Sequence, residues 1–251
     1  MNFYKLYEEN CLKTIIKLDD GSLDLIVTDP PYFRIVNDGW DNQWKTYDDF
    51  LLWLKEVINV CYNKLSDNGS MYVFTAFGDE FNNLVKTIFE TKFNITNMLM
   101  WQRSPSGRKH SRTRYTLNYE LIWFLTKENY NFNLDSVRIP QKYKDKRNNP
   151  LGKNPGSIWY YPNIMLGRNK KQLGHPTQKP EELIERMILA SSNKGDVVFD
   201  PFLGSGTTMA VSQKLERSCI GSEINLEYCE IIKNRCNPEV IHRRRVLTDE
   251  S

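Results

Sequence analysis

The stretch from Asp196 to Ser222 most constrains what this 251-residue chain can fold into. Asp196-Val197-Val198-Phe199-Asp200 is a short apolar run, Pro201 to Thr208 contains Gly204-Ser205-Gly206, and a helical pattern follows from about Thr207 to Lys214. A second strand, Ser218 to Ser222, comes next, centred on Cys219–Gly221. Strand, glycine turn, helix and strand in that order predict a parallel pair joined by a crossover helix. Turns of this kind can cradle a nucleotide. The glycines permit a tight bend and close approach, and the helix N-terminus offers unpaired N–H groups. Glu223 stands 23 positions after Asp200, the spacing at which such folds hold ribose hydroxyls. The full three-glycine fingerprint is absent, so the glycines alone also fit an ordinary strand-to-helix turn.

The second feature is Asp29-Pro30-Pro31-Tyr32, placed directly after Leu23, Leu25, Ile26 and Val27. The apolar run reads as a buried strand ended by a breaker, which puts the tetrapeptide at a strand's C-terminal end. Two prolines fix φ twice and remove two N–H donors. The rim that remains is one of acceptors, the Asp29 carboxylate and the Pro30 carbonyl, beside the Tyr32 ring. Such a rim suits a planar ring carrying an exocyclic amino group. Turn chemistry alone favours the same residues, so a proline turn capped by aspartate is the bland alternative.

In combination these motifs resemble those of S-adenosylmethionine-dependent DNA amino-methyltransferases of the beta arrangement, N6-adenine type. The order matches: Asp29–Tyr32 first, a basic middle, then Asp200–Thr208. His175-Pro176-Thr177-Gln178-Lys179-Pro180 resembles the segment preceding the cofactor-binding helix in that family, and Trp40-Asp41 also matches a family feature. The likeness extends from about Leu6 to Ile232. It implies Asp29, Pro30, Pro31 and Tyr32 as the catalytic set. It assigns the cofactor to Asp29, Asp200, Phe202, Gly204, Ser205, Gly206, Thr207 and Glu223, with Thr177, Gln178 and Lys179 at the methionine end. One departure stands out. The family's N-terminal Gly-Asp pair is replaced here by Glu9-Asn10-Cys11, leaving Asn10 to meet the cofactor adenine.

Charge is distributed unevenly. The net value is +3, yet between Trp101 and Lys171 fifteen Lys and Arg face four acids, Glu120, Glu128, Asp135 and Asp145. That is a local +11, which leaves the remainder at −8. Arg103, Arg108, Lys109, Arg112 and Arg114 form one cluster, Lys142, Lys144, Lys146 and Arg147 another, with Arg138, Lys153, Arg168, Lys170 and Lys171 nearby. A polyanion such as double-stranded DNA is the expected partner. A solvated charged loop is the other reading.

A single α/β domain over 1–251 is expected, with a basic target-recognition insertion at 128–172. The sheet should be mostly parallel, of the seven-stranded methyltransferase type, with helices on both faces. Thr46 should cap a helix carrying Phe50, Leu54, Val57, Cys61 and Leu65 on one face, ended by Asp67-Asn68-Gly69. Ser70–Phe74 and Glu120–Leu125 read as strands, and Glu181–Ser191 as a helix opened by Pro180. No apolar run approaches the roughly 18 residues of a membrane span. Five cysteines without a CxxC pair suggest a reducing cytoplasm and no metal site; Cys61 and Cys219 read as core. The function expected is methylation of adenine N6 in duplex DNA by base flipping and direct displacement. Cytosine N4 is the alternative target, although such enzymes more often carry Ser at position 29, and a non-catalytic DNA-binding paralogue is a third reading. A cognate restriction endonuclease and a homodimer are further partners that this reading allows.

Overall fold

The computed structural model describes residues 1–33, 43–75, 81–103, 113, 115–142, 147, 149–164 and 177–242. Its strands are β1 (Tyr4–Tyr7), β2 (Leu23–Thr28), β3 (Leu65–Thr75), β4 (Asn94–Gln102), β5 (Tyr119–Thr126), β6 (Ile158–Tyr160), β7 (Val197–Asp200), β8 (Ser218–Ser222) and β9 (Glu239–Ile241). Helices α1 (Cys11–Ile15), α2 (Tyr47–Lys64), α3 (Phe81–Phe89), α4 (Glu181–Ser191), α5 (Thr207–Lys214) and α6 (Leu226–Cys236) connect them. The strands form one sheet in the order β6-β4-β5-β3-β2-β7-β8-β1-β9. β5 alone runs against its neighbours; the other pairings are parallel. Where the seven-stranded type was expected, the described residues form nine strands. Seven strands of four or more residues run from β4 to β1, and the three-residue strands β6 and β9 add one to each edge.

Alternation along the central strands builds a layer of core on each face. Ile26, Met71 and Val73 point to one face, where they pack with Phe50, Leu54, Val57, Ile58 and Cys61 of α2 and with α1 and α3. Leu25, Val27, Tyr72 and Phe74 point to the other, against Leu183, Ile184, Met187 and Ile188 of α4. Each such buried aliphatic side chain contributes roughly 1.5–3 kcal/mol by leaving water. A third cluster joins β1, β8, α5 and α6 through Leu6, Met209, Cys219, Cys229, Ile232 and Cys236. All five cysteines are buried and unpaired. Burial raises the Cys11 thiol to about 12 and the Cys236 thiol to about 11, so both stay protonated at neutral pH.

Local signals account for most of the helix boundaries. Thr46 accepts from the Asp49 N–H at 3.1 Å, and Asp49 accepts from the Thr46 N–H at 3.0 Å, a reciprocal cap that starts α2. Caps of this kind are typically worth ~1 kcal/mol. The expected end of α2 needs correction. Leu65 keeps the helical spacing but turns to extended backbone and opens β3, so Asp67-Asn68-Gly69 lies within the strand. Pairing of Leu65 with Leu23 and full burial of its side chain outweigh the breaker signal. Among the described residues no helix is long and apolar enough to cross a membrane.

The register decides where chemistry can occur. Leu25 and Ile26 of β2 lie opposite Val198 and Phe199 of β7. Continued to the strand ends, that register brings Asp29 and Asp200 out at the same carboxyl edge of the sheet, where open parallel sheets bind ligands.

Candidate active site

A cleft opens at that edge, lined by Asn10, Asp29, Tyr32, Lys179, Asp200 and Glu223 among others. Pro31, Thr177, Gln178, Phe202, Gly204, Ser205 and Thr207 also face it, and Pro30 is buried beside them. The two motifs are therefore brought into one cavity although more than 160 residues separate them. Among its charged groups, the carboxylates of Glu9, Asp29, Asp200 and Glu223 stand against Lys179, the only Lys or Arg lining it among the described residues.

Main-chain hydrogen bonds shape the glycine-turn half. Asp200 Oδ1 accepts from the Phe202 N–H at 3.0 Å and Oδ2 from the Thr208 hydroxyl at 2.6 Å. Burial raises its pKa to about 7, against the pull of those two donors, with Asp29 and Glu223 pushing the same way as burial. Glu223 accepts three N–H groups, from Gly204 at 2.8 Å, Ile224 at 2.9 Å and Asn225 at 2.8 Å. Its pKa is raised by burial despite them. Gly206 caps α5 at φ +77°, and a Cβ there would meet Ile232 Cγ1 at 3.2 Å. Arg235 braces the turn from α6, donating to the Ser205 carbonyl at 2.9 Å and to Thr207 Oγ1 at 3.2 Å. Asn10 reaches the cleft while its Oδ1 caps α1 by accepting from the Leu12 N–H at 3.0 Å.

Side chains build the other half. Lys179 Nζ lies 2.5 Å from Asp29 Oδ2 and 3.3 Å from Glu120 Oε2. The Tyr32 hydroxyl donates to Asp29 Oδ1 and stands 3.5 Å from Glu120 Oε2. Arg103 donates to Glu120 Oε1 at 2.9 Å. The Lys179 ammonium also sits over the Tyr32, Phe74 and Trp101 rings, at 5.5, 5.1 and 5.8 Å from their centroids. Burial pushes Asp29 above the usual carboxylate range; Lys179 pulls it back and Glu120 adds to the rise. Burial alone lowers Lys179, but the carboxylates of Asp29 and Glu120 outweigh it and hold the ammonium above its ordinary value. Burial, Asp29 and Glu120 together raise the Tyr32 phenol well above 10.

Two of the residues singled out from the sequence carry ion-pair partners in the structure. Lys179, expected at the methionine end of a cofactor, lines the cleft with its ammonium held by Asp29 and Glu120, two carboxylates that compensate a buried cation. Arg103, expected on DNA, pairs its guanidinium with Glu120, with its side chain 28% exposed. Lys142 and Arg147 are exposed on the irregular segment before β6. Arg108, Lys109, Arg112, Arg114, Lys144 and Lys146, like Trp40-Asp41 and His175-Pro176, lie outside the described residues. Sequence reasoning missed Glu120, Arg235 and Trp53. Trp53 lines the cleft from α2 and packs on Phe202 at 5.6 Å between ring centroids. For Glu120 the available signal was a charged residue heading an apolar strand.

The residues present fit a sulfonium nucleoside. A cleft rich in carboxylates complements its positive charge, the Glu223 carboxylate is fixed beside the glycine turn, and the Trp53–Phe202 pair offers an apolar wall. Comparison with known proteins agrees with that geometry. The family model described as "DNA methylase", of the N6/N4 type, matches residues 23–234. Over 240 residues the chain is 38% identical to the type II methyltransferase M.HpaI of Haemophilus parainfluenzae, covering 94% of this chain and 74% of that one. It is also 38% identical over 236 residues to the DNA adenine methyltransferase YhdJ of Escherichia coli K12, covering 88% and 79%. The crystal structure of the M1.HpyAVI–SAM complex superposes with a TM-score of 0.66 at 25% identity, covering 94% of this chain and all of that one. The chain belongs to the N6/N4 DNA methylase family and is a DNA methyltransferase that draws its methyl group from S-adenosylmethionine.

Proposed function

We propose that this chain methylates the N6 amino group of adenine in duplex DNA. The observation that carries the reading is the shared cleft: Asp29 of the Asp-Pro-Pro-Tyr motif faces the same cavity as Gly204, Ser205, Thr207 and Glu223. The name of YhdJ, a DNA adenine methyltransferase, supports adenine as the base.

Gly204, Ser205, Gly206, Thr207, Phe202, Asp200, Glu223 and Asn10 hold the cofactor, with Thr177 and Gln178 at its methionine end. When bound, S-adenosylmethionine supplies an electrophilic methyl group on a cationic sulfonium. The protein's task is to prepare the amine. An exocyclic adenine amine is a weak nucleophile because its lone pair is delocalised into the ring. Asp29 and the Pro30 carbonyl each accept one N–H, which turns the nitrogen toward tetrahedral geometry and frees that pair. Alignment of the reactants then supplies much of the rate. A carboxylate offers about four lone-pair sites. Lys179 and the Tyr32 hydroxyl use two at Asp29, leaving room for an amine hydrogen. The amine must shed a proton once it carries the methyl group, and the raised pKa of Asp29 makes its carboxylate the better acceptor.

The base reaches this cleft only after leaving the duplex, and Tyr32 offers it a stacking face. Pro31 keeps that face next to Asp29. Lys142, Lys144, Lys146 and Arg147, with Arg108, Lys109, Arg112 and Arg114, hold the DNA backbone. The 128–172 segment serves as the recognition insertion within the single 1–251 domain. A companion restriction endonuclease is suggested by the type II name of M.HpaI, and a homodimer is a further assembly to be examined.

The test is nucleoside mass spectrometry of genomic DNA incubated with the protein and S-adenosylmethionine carrying a deuterated methyl. Deuterated N6-methyladenine is expected. Labelled N4-methylcytosine would replace adenine as the target while preserving the amine chemistry, and no labelled base at all would leave a DNA-binding paralogue.

A further inference from the structure

From these contacts we infer that Glu120 is a positioning residue for methyl transfer: through Lys179 it fixes the orientation and charge of Asp29, and through Arg103 it ties the reacting carboxylate to the start of the basic segment. This rests on the amine-methylating role of Asp29 proposed above.

The geometry is a relay of alternating charge. Arg103 pairs with Glu120 at 2.9 Å, Glu120 with Lys179 at 3.3 Å, and Lys179 with Asp29 at 2.5 Å. The four charges sum to zero. Each member comes from a different part of the chain: Asp29 follows β2, Arg103 follows β4, Glu120 lies in β5, and Lys179 precedes α4. The sheet is what assembles them. β5 pairs antiparallel with both β3 and β4, and that register sets Trp101 beside Glu120. The one strand reversed in the sheet thus delivers a carboxylate to the carboxyl edge of its parallel neighbours.

Asp29 alone could not hold this arrangement. The Lys179 side chain is only 8% exposed and sits over three aromatic rings. A buried ammonium facing one carboxylate tends to neutralise by giving up its proton. Glu120 supplies the second carboxylate, and Arg103 keeps Glu120 itself compensated. The charged and titratable groups facing Asp29 are Lys179, Glu120, Tyr32 and, across the cleft, Asp200. Removing the Glu120 charge has the same sign on both members of the reacting pair. Lys179 loses a partner that raises it, and Asp29 loses a charge that raises it. Both titrations should move toward lower pH.

The decisive variant is Glu120→Gln, which preserves shape and removes charge, measured beside wild type and Asp29→Ala. Misplacement of a reacting group lowers turnover by about 10- to 100-fold, and kcat should fall within that range. Calorimetry with S-adenosylmethionine should return a dissociation constant within about threefold of wild type, which also reports a folded protein. Both limbs of the kcat–pH profile should shift to lower pH, and Glu120→Asp should restore part of the rate. Unmoved limbs, or wild-type kcat in Glu120→Gln while Asp29→Ala is inactive, would overturn the positioning role alone. Turnover retained by Asp29→Ala would instead overturn the amine reading on which it rests.

Discussion

The two halves of the cleft solve the problem of buried carboxylates differently. At the glycine turn, Asp200 and Glu223 are satisfied chiefly by main-chain N–H groups from Phe202, Gly204, Ile224 and Asn225. At the amine end, Asp29 is satisfied by the side chains of Lys179 and Tyr32, of which Lys179 is itself held by Glu120. Main-chain donors cannot leave without unmaking the turn. Side-chain donors can turn aside at the cost of a rotamer. The glycine-turn half is therefore preformed for one constant ligand, while the amine half can yield acceptor sites to a base that arrives from elsewhere.

Among changes outside the reacting carboxylate, the largest effect is expected at Asp200. Its folded pKa near 7 lies above the ordinary carboxylate value, so between those values the folded chain binds a proton that the unfolded chain does not. That contribution favours folding at low pH and is lost as pH rises through about 7. Asp200→Asn removes it. The thermal stability of the variant relative to wild type should improve between pH 5 and pH 8, by an amount on the order of a few kcal/mol at most. A pH-independent difference in melting temperature would show that the Phe202 N–H and the Thr208 hydroxyl fully compensate the charge.

A smaller effect is expected at Gly206. A left-handed residue with a side chain costs roughly 1–2 kcal/mol, and the added Cβ also crowds Ile232. Gly206→Ala should weaken S-adenosylmethionine binding about tenfold in calorimetry while its kcat at saturating cofactor stays close to wild type. A fall in kcat with unchanged affinity would erase the division between the halves. The smallest effect is expected from Lys142→Gln and Arg147→Gln. Each lost phosphate contact reduces the log–log salt slope of DNA binding by about one, and fluorescence anisotropy across a salt series reads it. An unchanged slope would assign these exposed residues to solvent.

Legibility in the sequence follows the same division. The glycine-turn half is local: strand, turn, helix and acid lie within Asp196–Glu223, and each residue satisfies its neighbours along the chain. It could be read without a structure. The Asp29 motif was also readable, because two prolines after an apolar run mark a strand end. Its partners were not. Glu120 reaches Asp29 only through the register of β5 on β3, and the burial of Lys179 between two carboxylates follows from that same assembly. Strands β6 and β9, three residues each, carry too little periodicity to announce themselves. Leu65 misled for the opposite reason: it fits the helical stripe, yet the pairing with Leu23 claims it for the sheet.

The separation is tested most directly by Asp29→Ala, with binding and chemistry read on one protein preparation. Calorimetry with S-adenosylmethionine should give a dissociation constant within about threefold of wild type, since the main-chain donors of the glycine turn are untouched. Transfer of a tritiated methyl group to DNA should fall by about a hundred- to a thousandfold, the scale on which loss of a preorganised electrostatic contact is felt. Substantial methyl transfer by the variant, or loss of cofactor affinity in step with turnover, would contradict the assignment of Asp29 to the amine.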